Sequence, residues 1–270
     1  MLTSMPLTVT YNRIATFNKL NENKLGSTLI NLASGSKVRR PEDNIPDYFR
    51  AKRMDSQAQS DNRIGRDISE GLALLKVASN AGETVLRGVY RMSEITDLYY
   101  KNNTDDDTKV ALKAEFESLK NQITSAIDNS TYDGMKLIND SSAAPLKTIS
   151  LDNQNVHKIS ISFSAEQITD VSALSLGVDE VQEKAAVDEQ LKSAGSYVAS
   201  VNALSHGLNA QYNLVSRNAT VSSNTKNSLI KTDTGNEMLT AVNRSIQHQS
   251  SLALMAQANL VNSTIVRLFG

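Results

Sequence analysis

Between Asp47 and Tyr100 the chain carries no proline, and apolar or small residues recur at Ile64, Ile68, Leu72, Leu75, Ala78, Gly82, Val85, Val89, Met92, Ile95 and Tyr99. Steps of three and four place them on one stripe of one continuous helix. At 1.5 Å per residue that helix runs roughly 80 Å. A compact domain has no use for such a length, so the chain is expected to build along its helices rather than fold into a globule.

The stripe stops at Lys101-Asn102-Asn103. Thr104-Asp105-Asp106-Asp107 follows, a hydroxyl with a carboxylate three residues on, which predicts a capped helix start. Leu112, Phe116, Leu119, Ile123 and Ala126 repeat the rhythm to about Asn129, and Tyr132-Asp133-Gly134 is a turn signal. From Gly134 to about Asp179 the pattern changes. Ile149 and Leu151, then Ile159, Ile161 and Phe163, alternate with polar residues across Asp152-Asn153-Gln154-Asn155, which predicts one pair of short strands and no other β structure. Helical spacing returns at Leu191, Ala194, Val198, Val201, Ser205, Leu208, Tyr212, Val215 and Ala219. A break at Asp233-Thr234-Gly235 separates it from a last segment with Leu239, Val242, Ile246, Leu252, Met255, Leu260, Val266 and Leu268. The expected fold is mainly α, an elongated helical hairpin or coiled-coil rod with one small β-hairpin region and paired N- and C-terminal helices.

Composition narrows the function classes. Only 5% of the 270 residues are aromatic, and Trp and Cys are absent, so the helices must pack through aliphatic side chains without disulfides or thiolate chemistry. The formal net charge of -1 gives no global basic field for nucleic acid or an anionic membrane, leaving protein surfaces as the expected partners. The N-terminus MLTSMPLTVTYNR lacks a basic region followed by a long apolar core. With no run of about 18 apolar residues anywhere, neither a conventional secretory signal nor a membrane span is expected.

Catalytic patterns are missing. His157, His206 and His248 stand far apart and at no metal-ligand spacing, and no P-loop, GxGxxG, HExxH or GxSxG pattern occurs. The Asp105–Asp107 run lacks the glycine and terminal glutamate of a calcium loop. Lys37, Arg39 and Arg40 form a short basic cluster without interleaved aromatics, which reads as a solvated or salt-bridged loop. No enzyme activity, cofactor or metal is expected.

The stripes alone fit the core of any helical bundle. The terminal arms add a constraint. Ordering about 35 residues costs on the order of 50 kcal/mol, and offsetting it at about 25 cal/mol per Å² needs roughly 2000 Å² of apolar burial. Two thin arms hardly supply that, so they are expected to be mobile in a monomer and to fold when neighbouring copies bury them.

The segment Leu29, Leu32-Ala33-Ser34-Gly35, Lys37-Val38 and Glu42-Asp43-Asn44 resembles the N-terminal signature of bacterial flagellins. The likeness continues through Met54, Gln57, Gly71–Ala78, Arg91–Ile95 and Thr131–Leu137. At the other end Ser251–Asn259 and Ile265–Phe269 are similar to the C-terminal motif of that family. It covers roughly residues 10 to 138 and 180 to 270, without the large variable outer insertion of many flagellins.

The resemblance implies a filament subunit outside the cell, in the bacterial flagellum. Its division would be an inner-domain (D0) helix at 1–35, a spoke linker at 36–47, an outer helical rod (D1) at 48–232 with a β-hairpin at about 146–163, and a second inner-domain helix at 233–270. Assembly-interface residues are then Leu25, Leu29, Leu32, Leu239, Val242, Ile246, Leu252, Met255, Leu260, Val266 and Leu268. Spoke and hinge residues are Gly35, Arg39, Arg40 and Asp43. The outer-rod core takes Ile64, Ile68, Leu72, Leu75, Val85, Met92, Leu112, Phe116, Leu119, Ile123, Val198, Val201, Leu208 and Val215. Implied partners are further copies of the chain, other flagellin subunits, the flagellar cap, hook-junction proteins, an export chaperone and the type III export apparatus, with no nucleic acid and no membrane. Two features depart from the family: the bulky Ile45-Pro46-Asp47-Tyr48-Phe49 after the acidic pair, and the opening MLTSMPLTVT. Ser93, where receptor-activating flagellins commonly carry a second arginine, implies weak activation of vertebrate innate receptors. A hook-filament junction protein and a coiled-coil signalling module are the remaining alternatives.

Overall fold

Carboxylates and amides punctuate the helices. The computed structural model describes residues 7–138, 145–150, 157–162, 168 and 171–269, with side chains described inside the terminal helices from 12 and up to 261. Five long helices, α1 (Leu7–Ser34), α2 (Ile45–Tyr99), α3 (Asp106–Asp128), α4 (Glu180–Ile230) and α5 (Thr234–Phe269), make the fold mainly α. Asn44 Oδ1 accepts from the Asp47 amide while the Asn44 amide group donates to the Asp47 carboxylate, a reciprocal cap that starts α2 with Pro46 in its first turn. Asp179 Oδ1 accepts from the amides of Val181 and Gln182 at the start of α4, and Asp233 Oδ1 accepts from Gly235 and Asn236 at the start of α5.

At α3 the cap is shifted by one residue from the expected position. Asp105, not Thr104, accepts from the Thr108 amide at 3.2 Å, while the Thr104 hydroxyl turns back and donates to the Leu98 carbonyl at 2.7 Å, closing the end of α2. A carboxylate is the stronger acceptor at the positive end of a helix, so it takes the position when both are available.

The chain divides into two compact units, residues 1–56 with 222–270 and residues 57–221. In the second unit α2 and α4 run antiparallel, as the approach of Gly82 to Tyr197 and of Ser79 Oγ to Asn202 Oδ1 fixes. The core contains Ile64, Ile68, Leu75, Val85, Met92, Phe116, Ile123, Val201, Leu208 and Val215, all buried, and Leu112 at its margin. Leu72, Leu119 and Val198 pack partly buried against it. The stripe omits Leu74, Leu137, Ile138 and Tyr197, which are also fully buried.

Two small antiparallel pairs occur where one is expected. β3 (Lys147–Ser150) pairs with β4 (Lys158–Ile161) in the predicted place, and Ile149 and Ile161 lay their side chains over Gly71 of α2. Leu151, Asp152–Asn155 and Phe163 of that prediction lie outside the described residues. The added pair, β1 (Thr131–Tyr132) with β2 (Met135–Lys136), is closed by Asp133 and Gly134, both at positive φ, as a two-residue hairpin turn requires. Its strands are too short to show an alternation in the sequence.

Close approaches at glycine set how tightly the helices meet. A Cβ at Gly82 would lie 2.8 Å from the Tyr197 ring, whose hydroxyl is held by donation to the Leu137 carbonyl at 3.0 Å. Gly195 of α4 has nothing within 4 Å of the equivalent point. Gly82→Ala is therefore expected to destabilise the protein by about 1–3 kcal/mol and Gly195→Ala to stabilise it by about 0.5–1 kcal/mol. Urea unfolding followed by far-UV circular dichroism checks both, and a Gly82→Ala protein as stable as the parent would refute the packing account.

Candidate assembly interface

The first unit begins with α1, which ends where Gly35 takes φ 63°, a left-handed value that a residue without Cβ adopts at little cost. The chain then runs beside the junction of α4 and α5. The Lys37 amide donates to the Ile230 carbonyl at 2.8 Å, Thr232 donates to Gly35 at 3.1 Å, and the Ser36 hydroxyl donates to Ile230 at 2.9 Å. These cross-links tie the outgoing and returning linkers together and leave few backbone groups there unpaired.

Asp43 organises the turn that follows. Its Oδ2 accepts from the amides of Arg39 at 2.8 Å and Arg40 at 2.9 Å, and these two backbone hydrogen bonds, more than the arginine charges, hold its pKa below the usual aspartate value. Arg39 and Arg40 thus contribute chiefly main-chain donors to the turn, and their side chains are exposed. The Arg39 guanidinium also reaches Asn31 Oδ1 at 3.4 Å. Beyond the turn Val38 and Ala51 are buried, and Lys226 Nζ pairs with Asp55 at 2.6 Å.

α1 and α5 lie antiparallel in this unit. Arg244 donates to the Lys24 carbonyl and the Thr28 hydroxyl, and seven residues along α5 Glu237 accepts from Asn31. The residues this pairing buries are small or polar: Asn21, Thr28, Ala241 and Ser251. Asn18 Oδ1, Asn21 Nδ2 and His248 Nδ1 are buried without a hydrogen-bond partner. An unpaired buried polar atom costs about 1–3 kcal/mol, so the seam adds little stability of its own. The sequence pattern missed these residues because polar side chains do not register in an apolar stripe.

The apolar residues go elsewhere. Leu29, Leu239, Val242, Ile246, Leu252 and Leu260 are exposed, and Leu25, Leu32 and Met255 are half-buried. Phe17, Leu20, Ile30, Leu254 and Val261 add to the exposed set. The side chains of Val266 and Leu268 lie outside the described ones, although their backbone belongs to α5. The described side chains leave much aliphatic surface exposed along both helices. Among the described residues no group of three or more His, Asp or Glu is placed to hold a metal, and no helix is long and apolar enough to cross a membrane.

Residues 8–143, half of the chain, match the bacterial flagellin N-terminal helical region. The chain belongs to the bacterial flagellin family. It is 24% identical over 267 residues to a flagellin of Halalkalibacterium halodurans, covering 92% of this chain and 93% of that one. It is 23% identical over 238 residues to flagellin FljK of Caulobacter vibrioides, covering 87% of each. Among solved structures, the crystal structure of Bacillus cereus flagellin aligns with 58% of this chain and 88% of that one, at 14% identity and a TM-score of 0.39. A flagellin is a structural subunit of the flagellar filament that polymerises with its own kind, and the family is a structural one rather than an enzyme family.

The Asp43 turn makes a pH-dependent prediction. A depressed carboxyl stabilises its partners above its unfolded pKa and stops doing so as pH falls through the lower folded value. The Arg39 and Arg40 amide resonances should therefore titrate together with a midpoint below the ordinary aspartate value. In Asp43→Ala they should not titrate and should lose hydrogen-exchange protection. Unchanged protection in Asp43→Ala would show that the turn stands without the carboxylate.

Proposed function

We propose that the exposed aliphatic faces of α1 and α5 are the inner assembly surface of the filament, with 1–35 and 233–270 as the paired inner helices. On this reading residues 36–47 are the spoke and 48–232 the outer rod. The observation that supports it is the inversion just described: polar and small residues fill the α1–α5 seam while leucine, isoleucine and valine face outward. Burying one such side chain against a neighbour contributes about 1.5–3 kcal/mol. The arms of a free subunit then have little to hold them, and they order when copies pack around them in the coiled-coil manner. Heterologous contacts that do not close give an open helical polymer.

The same reading places the subunit outside the cell, exported through the flagellar type III apparatus with an export chaperone and added beneath the cap onto hook-junction proteins. The absence of cysteine suits passage of an unfolded chain that must not crosslink.

Seeded polymerisation tests the assignment. The full chain is expected to extend short filament seeds in electron micrographs, and a version lacking 1–35 and 236–270 is expected to leave them unchanged. Leu239→Asp with Ile246→Asp should raise the concentration needed for growth by about two orders of magnitude, the loss of a few kcal/mol of apolar burial per subunit. The thermal unfolding of residues 57–221 should not move. Growth at parental concentration would remove these residues from the interface.

The hinge gives a second expectation. At Gly35, φ 63° is costly for any side chain and more so for a β-branched one. Gly35→Val should lower filament yield or change filament curvature in micrographs, and straight-to-curled behaviour identical to the parent would remove Gly35 as a determinant of shape.

A further inference from the structure

The start of α2 displays a second, different surface. Ile45 and Phe49, four residues apart on one face, are 60% and 57% exposed, and Arg53 continues the same line. Pro46 lies beside Ile45, and Arg50 and Lys52 flank the line, so residues 45–53 carry three cations against the single carboxylate of Asp47. That carboxylate already accepts from Asn44. Arg50, Lys52 and Arg53 form no ion pair among the described residues. Large apolar side chains ringed by unpaired cations are the composition of an interface core and rim, not of a solvated helix face.

Among the described residues the opposite composition occurs at the start of α4. Val178 and Val181 are 83% and 78% exposed, and Ala185, one turn on, is also exposed. Around them stand Asp179, Glu180, Asp188 and Glu189, all exposed, against one lysine, Lys184, which pairs with Asp97 and Glu180. Asp188 and Glu189 form no ion pair among the described residues. The acidic start of α3 is a poorer match. Its exposed Val110 sits between Lys109 and Lys113, which offset Asp106 and Asp107 within the same turns.

We infer that the 45–53 surface of one copy docks on the 178–189 surface of another. Ile45 and Phe49 meet Val178 and Val181, and Arg50, Lys52 and Arg53 face Asp179, Glu180, Asp188 and Glu189. The two surfaces are unlike, so the contact is heterologous, and repetition adds copies without limit unless it closes into a ring. Opposite charges around an apolar centre fix the register and speed encounter, more than they add affinity. This inference rests on the filament reading and deepens it by naming a contact separate from the α1 and α5 surfaces. The bulky Ile45–Phe49 segment, which departs from the family pattern, finds its use here.

Because the chain contains no cysteine, the contact is directly testable by placed ones. Full-length protein carrying both Phe49→Cys and Val181→Cys is assembled on seeds and treated with a short bis-maleimide, then separated under denaturing conditions. A ladder of covalent multimers is expected from filaments, with monomer only from dilute subunits. Two chains carrying one cysteine each, mixed and assembled, should stop at dimers. In parallel, Arg53→Glu should slow elongation by about tenfold at low salt, and Glu189→Arg added to it should restore most of the rate. Filaments that form normally but give no ladder overturn this contact and leave the filament reading standing. A faster-migrating internally linked monomer also overturns it. A cysteine-free parent that never extends seeds overturns the filament reading, and the contact with it.

Discussion

The pairing of α1 with α5 through small and polar side chains is the constraint on which the rest of the first unit depends. Had Leu29, Val242 or Ile246 turned into the seam, the two helices would form a stable pair with a hydrophilic exterior and no reason to associate further. Instead Asn21, Thr28, Ala241 and Ser251 occupy it, fixed by donation from Arg244 to the Lys24 carbonyl and the Thr28 hydroxyl. Polar contacts of this kind set register at some cost in stability. The hydrophobic free energy of these aliphatic side chains is thus left unused within the unit, and on the proposed reading it is released when another chain covers them.

The second unit is built the other way round. Its apolar stripes from α2, α3 and α4 meet one another, and its polar residues are used to close ends. Glu183 shows how. Burial pushes its carboxyl up, but donation from the Tyr100 hydroxyl at 2.6 Å and from the amides of Gly177 and Val178 outweighs this and holds it below the usual range. Tyr100, desolvated and facing that carboxylate, is pushed up to about 12. One side chain thereby binds the end of α2 to the turn that starts α4, where Gly177 at positive φ leaves no room for a Cβ beside the Tyr99 hydroxyl. Contacts of this kind close the second unit at the end where α2 stops and α4 starts.

Much of this was legible in the sequence where one physical signal acted alone. The α2 stripe from Ile64 to Tyr99 is long enough that no local preference competes with it, and the Ile149 to Ile161 alternation survives because one face of that hairpin rests on Gly71. Legibility failed where signals competed or were short. Thr104 and Asp105 both offer a cap, and the choice is decided by charge at the helix end rather than by motif. The β1–β2 pair has two residues per strand, below the length at which alternation exists. Tyr197 escaped because an aromatic hydroxyl looks polar in a stripe, although its partner, the Leu137 carbonyl, lies 60 residues away. At the proposed interface the apolar positions were readable from spacing. Which way they face was not, since a 3.6-residue period marks a face without saying what will cover it.

That ambiguity follows from the physics of a subunit that must exist in two environments. A side chain destined for a neighbour obeys the same periodicity as one destined for its own core, and only the complementary polar residues tell them apart. In α1 and α5 those residues supply an internal partner surface, so the aliphatic ones are released outward; in α2 and α4 beyond residue 56 they do not, and the aliphatic ones turn inward. Where Asn, Thr and Ser sit opposite one another across an antiparallel pair, the seam is spoken for, and an accompanying leucine stripe must answer to something outside the chain. Applied to Ile45, Phe49, Val178 and Val181, the same logic needs no seam at all: one exposed apolar pair is flanked mainly by cations and the other mainly by carboxylates, and these flanking charges already sort them.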